Sequence, residues 1–539
     1  MNKRVFSAIA ALLPMAMMAQ TAVDAYQMSR YDLRGTARFM SMGGAFGALG
    51  GDLSTLNQNP GGLGVYRKSD VGITLDIDIQ KSTSNTPLMS YSQNQTKANV
   101  NNVGYVGSMF TNSDLMPYFN WGFTYNRAAS FNRKFRGADR MNSSLSNYIA
   151  GFTSNENWTT NELSGSEDNY FASNGAPWMS ILAYNSYIIN PLSPSSTTYN
   201  GLWGNGTTGE NEFEVEEKGY VDEYEFNVGG NFSDIVYWGI GFGITDIEYK
   251  QNVYYEEYLN NATIPVENAQ GEVIAGPPTP TSQEVGFGLS SRKRITGSGY
   301  NFKAGLIVKP INELRLGFAV HTPTYYDLSQ NNDGIIDYGY GYQDGQLKPG
   351  NTGTPIESID WKMRTPWRMI ASAAVVLGSN AIISADYEYR PYQDMTIKDA
   401  RGNEFAYTKQ DVKDYYKSAN IVRLGAEYRV SNNFSLRAGY AYESTPTGAE
   451  VRNNQVAVVT SGPYDTGTTP SYTLDKSTQY ITCGIGYRYK GFYADAAYVN
   501  KSFKSDYHPF TPNNYTDLQP AAEIKTSNNN IVLTVGYRV

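Results

Sequence analysis

The sequence predicts an all-β fold: a transmembrane antiparallel β-barrel of about 14 strands with an N-terminal hatch plugging the lumen. Three observations predict it. Apolar and polar residues alternate with a period of two along the chain, the links between these segments are long and short by turns, and a compact glycine-rich segment precedes the first of them. Composition agrees, since 44 tyrosines, 52 glycines and only 17% charged residues describe aromatic-rich strands with many turns. A formal charge of -8 without any basic run argues against a nucleic-acid partner, which requires clustered Lys and Arg to replace counterions.

Residues 1–19 read as a signal peptide. Lys3 and Arg4 supply its positive region, "VFSAIAALLPMAMMA" its apolar core, and Ala19 the small residue before cleavage. No later run of about 18 apolar residues exists, so no helix is expected to span a bilayer. The single cysteine, Cys483, excludes an internal disulfide framework and a Cys-based zinc site. No cofactor or metal is expected.

Residues 20–68 form the expected hatch and 69–539 the barrel with long extracellular loops. The hatch is read from "ARFMSMGGAFGALGGDLSTLNQNPGGLGVYRKSD", Ala37 to Asp70. A phosphate cradle is excluded, because no strand precedes the segment and it matches neither GxGxxG nor GxxxxGK[ST]. A flexible linker would leave Phe39, Met40, Met42, Phe46, Leu49 and Leu53 in water. Gly43, Gly44, Gly47, Gly50 and Gly51 instead suit tight turns and close backbone approach in a confined space.

Strands are expected to start near residues 69, 100, 118, 215, 235, 297, 313, 357, 380, 419, 433, 476, 491 and 527. In 421–430, for example, Val422, Leu424, Ala426, Tyr428 and Val430 oppose Arg423, Gly425, Glu427 and Arg429. Long links (81–99, 131–214, 250–296, 328–356, 391–418, 444–475 and 500–526) alternate with short ones such as "KPINE" and "KG". That puts all long loops at one end, as in outer-membrane barrels, whereas a soluble sandwich has no reason to do so. Tyr387, Tyr389, Tyr440, Tyr442 and Tyr498 fall at the loop ends and Tyr428, Tyr487, Tyr489 and Tyr537 at the turn ends, as two aromatic girdles.

The polar face places Arg315, His321, Asp386, Glu388, Arg423, Glu427 and Arg437 in the lumen, with Arg390, Arg429, Glu443 and Arg488. With "SNN" as a turn, Glu427 falls nearly opposite Arg437, so mutual pairing is expected. Only two histidines exist; His321 is expected as a solvated lumenal residue and His508 in a long loop, which leaves no base for a nucleophile pair and no catalytic residue. "DLSQNNDGIIDYGY" has part of a calcium-loop order, with Ser329 first and Tyr340 where the bidentate acid belongs. The apolar "APWMSILAYNSYIINPL" within 131–214 is expected to fold over the mouth or meet hydrophobic ligand.

The segment "ARFMSMGGAFGALGGDLSTLNQNPGGLGV" resembles the N-terminal hatch of the FadL/TodX family of outer-membrane transporters for long-chain fatty acids and other hydrophobic compounds. That hatch runs into an Asn-Pro-Ala motif before the first strand; Asn59 and Pro60 match, and Gly61 stands in place of the alanine. "RLGFAVHTPTYYDL" and "RAGYAYESTP" resemble family strands that exit into proline-containing loops. Val539 departs from the terminal aromatic of such barrels, leaving Tyr537 as the nearest assembly signal.

The resemblance implies a monomer in the outer membrane of a Gram-negative bacterium, with no enzymatic activity. Its partners would be a hydrophobic small-molecule ligand (fatty acid, lipid or detergent-like), outer-membrane lipid and the barrel assembly machinery. The function implied is passive uptake: extracellular loops catch the ligand, which moves past the hatch and leaves sideways through the wall. A general or substrate-selective porin is the alternative, with an outer-membrane enzyme or adhesin behind it.

Overall fold

Fourteen strands close into one antiparallel barrel. A computed structural model describes residues 21–164, 171, 175–267, 273–280, 284–341, 347–458, 466–511 and 521–539, and the expected signal peptide lies outside them. The strands are β1 Asp70–Asn85, β2 Ser90–Phe110, β3 Tyr118–Ser130 continued as Arg133–Arg140, β4 Thr208–Phe232, β5 Val236–Asn260, β6 Val285–Val308 and β7 Leu314–His321 continued as Tyr325–Gly341. They go on with β8 Glu357–Arg364 continued as Arg368–Leu377, β9 Ala381–Pro391 continued as Thr396–Asp399, β10 Ser418–Arg429, β11 Phe434–Glu443, β12 Tyr472–Tyr489, β13 Phe492–His508 and β14 Ala522–Arg538. β7 and β8 break beside Pro323 and Pro366, residues that have no N–H for the ladder. β1 pairs with β14 from Asp70↔Arg538 to Asn85↔Glu523, and this ladder closes the barrel.

The faces are inverted relative to a water-soluble protein. On β1, Val71, Ile73, Leu75, Ile77 and Ile79 are exposed, while Asp70, Thr74, Asp76 and Asp78 are buried on the inner side. Such a wall suits hydrocarbon outside and a polar interior. Exposed aromatic residues mark both edges of the apolar band, with Tyr387, Tyr440 and Tyr498 toward the loops and Tyr428, Tyr487 and Tyr537 toward the turns.

The strands are longer than the sequence reading expects. The presumed loops 81–99 and 250–296 carry paired strand, and β4 and β5 each run for 25 residues. A membrane needs only about 9–11 residues per strand. Beyond the apolar band the outward positions turn polar, as at Glu210, Glu212 and Glu214 of β4, while Phe213 and Val215 point inward to a buried core, so the alternation changes sign while the backbone ladder continues. The presumed calcium loop is likewise strand: Tyr325–Gly341 pairs with β6, and Arg292 Nε donates to Asp333 at 2.8 Å.

Between β3 and β4, the described residues 141–164 and 175–207 pack over the inner side of the strand extensions. The helices Leu145–Asn155 and Trp178–Asn185 pack Ile149, Trp178, Ile181 and Leu182 against Phe213, Tyr255, Phe287 and Tyr507 of the strand extensions. The first helix is anchored to the wall by Glu257, which accepts from the Leu145 N–H (2.7 Å) and the Ser144 hydroxyl (2.5 Å). Burial pushes the Glu257 carboxyl up to about 7. The apolar stretch that looked unlike a solvated loop is therefore the core of a cap.

Cys483 lies on the outward face of β12, between Ala438 of β11 and Tyr498 of β13. A charged, membrane-impermeant maleimide should leave it unlabelled in intact outer membranes and label it after denaturation. Rapid labelling of the folded protein would place that strand face in water.

Candidate functional site

The N-terminal segment threads the barrel as short helices Ala22–Met28, Ala37–Ser41 and Thr55–Gln58 and a 3-10 turn Pro60–Val65. Each is too short to be stable alone. Thr36 caps the second helix by accepting from the Phe39 N–H at 3.2 Å, and Gly43 and Gly50 take the left-handed backbone (φ 63° and 67°) that lets the chain turn. Phe39, Met40, Met42, Phe46, Leu49 and Leu53 are all buried. Asn59 ties the segment together: its carbonyl oxygen accepts from the Gly61 N–H (3.0 Å) and its amide donates to the Gly47 (2.5 Å) and Leu306 (3.2 Å) carbonyls. Pro60 then opens the turn, where its missing N–H costs nothing.

The expected lumenal residues fall into three groups, and two of them hold this segment. Asp386 accepts from the Phe46 and Gly47 N–H groups (3.1 and 3.0 Å) and from the Gln58 amide (2.9 Å). Arg315 donates to the Leu49 carbonyl at 3.0 Å, and His321 Nε2 donates to the Gln58 carbonyl at 2.8 Å. The reading of His321 as a solvated residue is thus corrected: it is buried, with the hatch backbone as its partner.

In the second group Arg38 of the hatch and Arg437 of β11 share Glu427, at 2.9 and 2.6 Å. Arg437 stands opposite Glu427 in the ladder and reaches Asp495 as well (2.6 Å). The third group is Glu388, which receives Arg368, Arg390 and Arg423. Arg429 shares the inward parity but is exposed at the turn end. His508, expected in a loop, ends β13, where it is buried and stacked on Tyr472 with centroids 4.8 Å apart; burial pushes its imidazole down to about 4.

Sequence reasoning missed Arg34, which reaches Asp76 and Asp78 of β1 at 2.8 Å each. Removing one partner of such a buried pair costs about 3–5 kcal/mol. It also missed a belt of wall glycines. A Cβ at Gly425 would lie 2.5 Å from the Met42 carbonyl and one at Gly484 2.6 Å from the Ser41 Cβ, while Gly239, Gly305, Gly317 and Gly439 touch Pro60, Asn59, Gly47 and Gly43 in the same way. Glycine recurring at inward strand positions was the available signal, since it marks close approach of another backbone.

Along one edge of β2 the pairing of the wall lapses. β2 pairs with β1 down to Ser90, but with β3 only from Asn102 to Phe110. Opposite the unpaired edge, Leu75, Ile77 and Ile79 of β1 still point outward into the apolar band. After Phe131, β3 passes inside: Ser84 of β1 and Thr86 just beyond it donate to its Arg136 and Ala138 carbonyls (2.6 and 2.5 Å), and Phe135 packs against Tyr507. Arg127, held by Asp222 (2.8 Å), bridges to Asn99 across the opening at 2.8 Å. Within the barrel, cavities of about 20 and 50 Å³ are both lined by Tyr31 and Asp32.

A family model described as outer membrane protein transport protein (OMPP1/FadL/TodX) matches residues 206–539. Among solved structures, a Pseudomonas aeruginosa FadL homologue aligns over 94% of this chain and 99% of its own at 12% identity with a TM-score of 0.50, which shows a shared fold. The Ralstonia pickettii toluene transporter TbuX (13% identity, 94% and 99% covered, TM-score 0.48) and the P. putida toluene transporter TodX (12%, 94% and 99%, 0.45) also match. No curated protein matches the sequence.

Gly317→Leu should force the Gly47 backbone away from the wall. Overpacking of this kind costs about 1–3 kcal/mol, which loosens the hatch without touching the ladder. Conductance in planar bilayers should rise several-fold while the barrel stays heat-modifiable; unchanged conductance would contradict the contact.

Proposed function

Because the chain belongs to the OMPP1/FadL/TodX family of outer-membrane transport proteins, we propose that it takes up hydrophobic small molecules, such as long-chain fatty acids, without an energy source. The family is one of transporters and not of enzymes. The observation that carries the reading is the pairing lapse between β2 and β3 at the height of the apolar band, next to a lumen filled by the N-terminal segment. An aqueous porin needs an open bore, and the cavities of about 20 and 50 Å³ hold a few waters at most. A hydrophobic ligand needs no aqueous bore; it enters under the cap, shifts Arg34 and its neighbours, and leaves sideways into lipid beside Asn99 and Arg127. The hatch is the plug in this reading, and the mobile contacts are the polar ones that water or ligand can replace.

A photoreactive fatty acid with a diazirine in its chain tests both parts in cells lacking other such transporters. Cells expressing the protein should take it up faster than cells that do not, and illumination should place adducts on residues 97–101 and 127–136. Equal uptake overturns the transport reading. Rapid uptake with adducts spread evenly around the barrel overturns the lateral route alone.

A further inference from the structure

Above the apolar band, the outward faces of β12, β13, β14 and β1 carry four lysines against two carboxylates among the described residues. Lys504 of β13 and Lys525 of β14 are half-exposed and stand directly opposite each other in the ladder. Lys81 is the next outward residue after Ile79 on β1, and Lys476 lies on β12. Glu523 is shared by Lys504 (3.3 Å), Lys525 (3.6 Å) and Lys476 (3.8 Å), and Asp506 takes Lys476 alone (2.7 Å). Among the described residues Lys81 has no carboxylate partner. Like charges directly opposite one another destabilise a ladder, so this face gains from an anion held between Lys504 and Lys525. The lysine excess is local: outward positions of β4 and β5 hold Glu212, Glu214, Glu216, Glu248 and Glu256 against Lys218 and Lys250.

The lysines sit at two heights. Lys525 lies six residues beyond Ile531, the last apolar outward residue of β14, and Lys504 six beyond Tyr498 of β13. At about 3.3 Å of rise per residue and a strand tilt of about 40°, both stand about 15 Å above the apolar edge, and Lys81, two residues beyond Ile79, about 5 Å above it. A phospholipid head-group layer is only about 5–8 Å deep, so it reaches Lys81 and falls short of the other two. The surface between the two heights is neutral and hydrogen-bonding. Asn500 donates to the side-chain oxygens of Asn529 (2.8 Å) and Ser527 (3.1 Å), and the Tyr498 hydroxyl donates to Asn529 at 2.7 Å. Such amides and hydroxyls suit sugar hydroxyls, while Ile77, Ile531 and Leu533 below offer acyl chains an apolar wall.

We propose that this outer face binds a phosphorylated glycolipid of the outer leaflet, with one phosphate at Lys81, a second between Lys504 and Lys525, and the sugars between them against Asn500, Ser527 and Asn529. Lysine ammonium groups take phosphate as point charges and need no fixed fork geometry, which suits side chains that stand half in water. The site lies on the outside of the wall and stands apart from the lumen and from the transport reading.

The test is native mass spectrometry of the purified full-length protein with rough lipopolysaccharide, which carries phosphates on both its lipid and its sugar core, with the same lipid after removal of its phosphates, and with phosphatidylglycerol. Native protein should bind the phosphorylated glycolipid about tenfold more tightly than either comparison lipid, and the double variant Lys504→Gln, Lys525→Gln should lose about that factor. Replacing both lysines by arginine should retain binding. Lys250→Gln, which removes a lysine already held by Glu248 at 2.8 Å, should leave it unchanged. Equal native binding of the phosphorylated and dephosphorylated glycolipids overturns the inference even if the variants fail to fold. Phosphatidylglycerol bound as tightly as the glycolipid overturns the choice of a tall sugar head, and an equal loss in Lys250→Gln overturns the assignment to this face.

Discussion

Everything in this structure follows from the need to satisfy each backbone N–H and C=O inside hydrocarbon. A single helix does that locally; strands do it only by closing, and the β1–β14 ladder is where this chain closes. Closure fixes which side chains look inward, and in doing so it creates an interior of Asp76, Asp78, Glu223, Asp386 and Glu388 that no lipid can solvate. The lapse in pairing along β2 above Asn102 falls where Asn99, Arg127 and the returning half of β3 bring polar groups to the edge. There the interior answers for the open ladder.

The N-terminal segment is the answer to that interior charge. Arg34 and Arg38 supply cations to wall carboxylates, and its backbone supplies N–H groups to Asp386 and carbonyls to Arg315 and His321. Wall glycines let the two backbones touch. Apolar packing adds to this, with Tyr26 against Tyr392 and Tyr416, and Phe39, Phe46 and Leu49 against Tyr480, Val499 and Val532 of the wall.

The barrel was legible because lipid and lumen impose opposite demands on alternate residues, and the short turns "KPINE" and "KG" punctuate them. The ends of the strands were not legible: above the apolar band the outward face turns charged, as at Glu210, Glu212, Glu214 and Glu216 on β4, while Phe213 and Val215 face the cap, so the apolar set changes sides along one strand. Burial of Phe46 and Leu53 followed from composition, and the Glu427–Arg437 pair from a turn length. Arg34 was invisible because its partners, Asp76 and Asp78, lie on a strand some forty residues away with nothing in the sequence to join them. His321 looked solvated for the same reason: lumenal parity says that a side chain points inward, and says nothing of what fills the inside.

The central claim is that the N-terminal segment blocks an otherwise complete barrel. Single-channel recording in planar bilayers, comparing the full-length chain with one lacking residues 21–58, tests it most directly. The strands pair with one another without that segment, so the shortened protein should insert and stay heat-modifiable. It should conduct as a steady open pore lined by Asp386, Glu427 and Arg437, against little stable conductance for the full-length protein. Equal, low conductance from a correctly inserted shortened barrel would contradict the account.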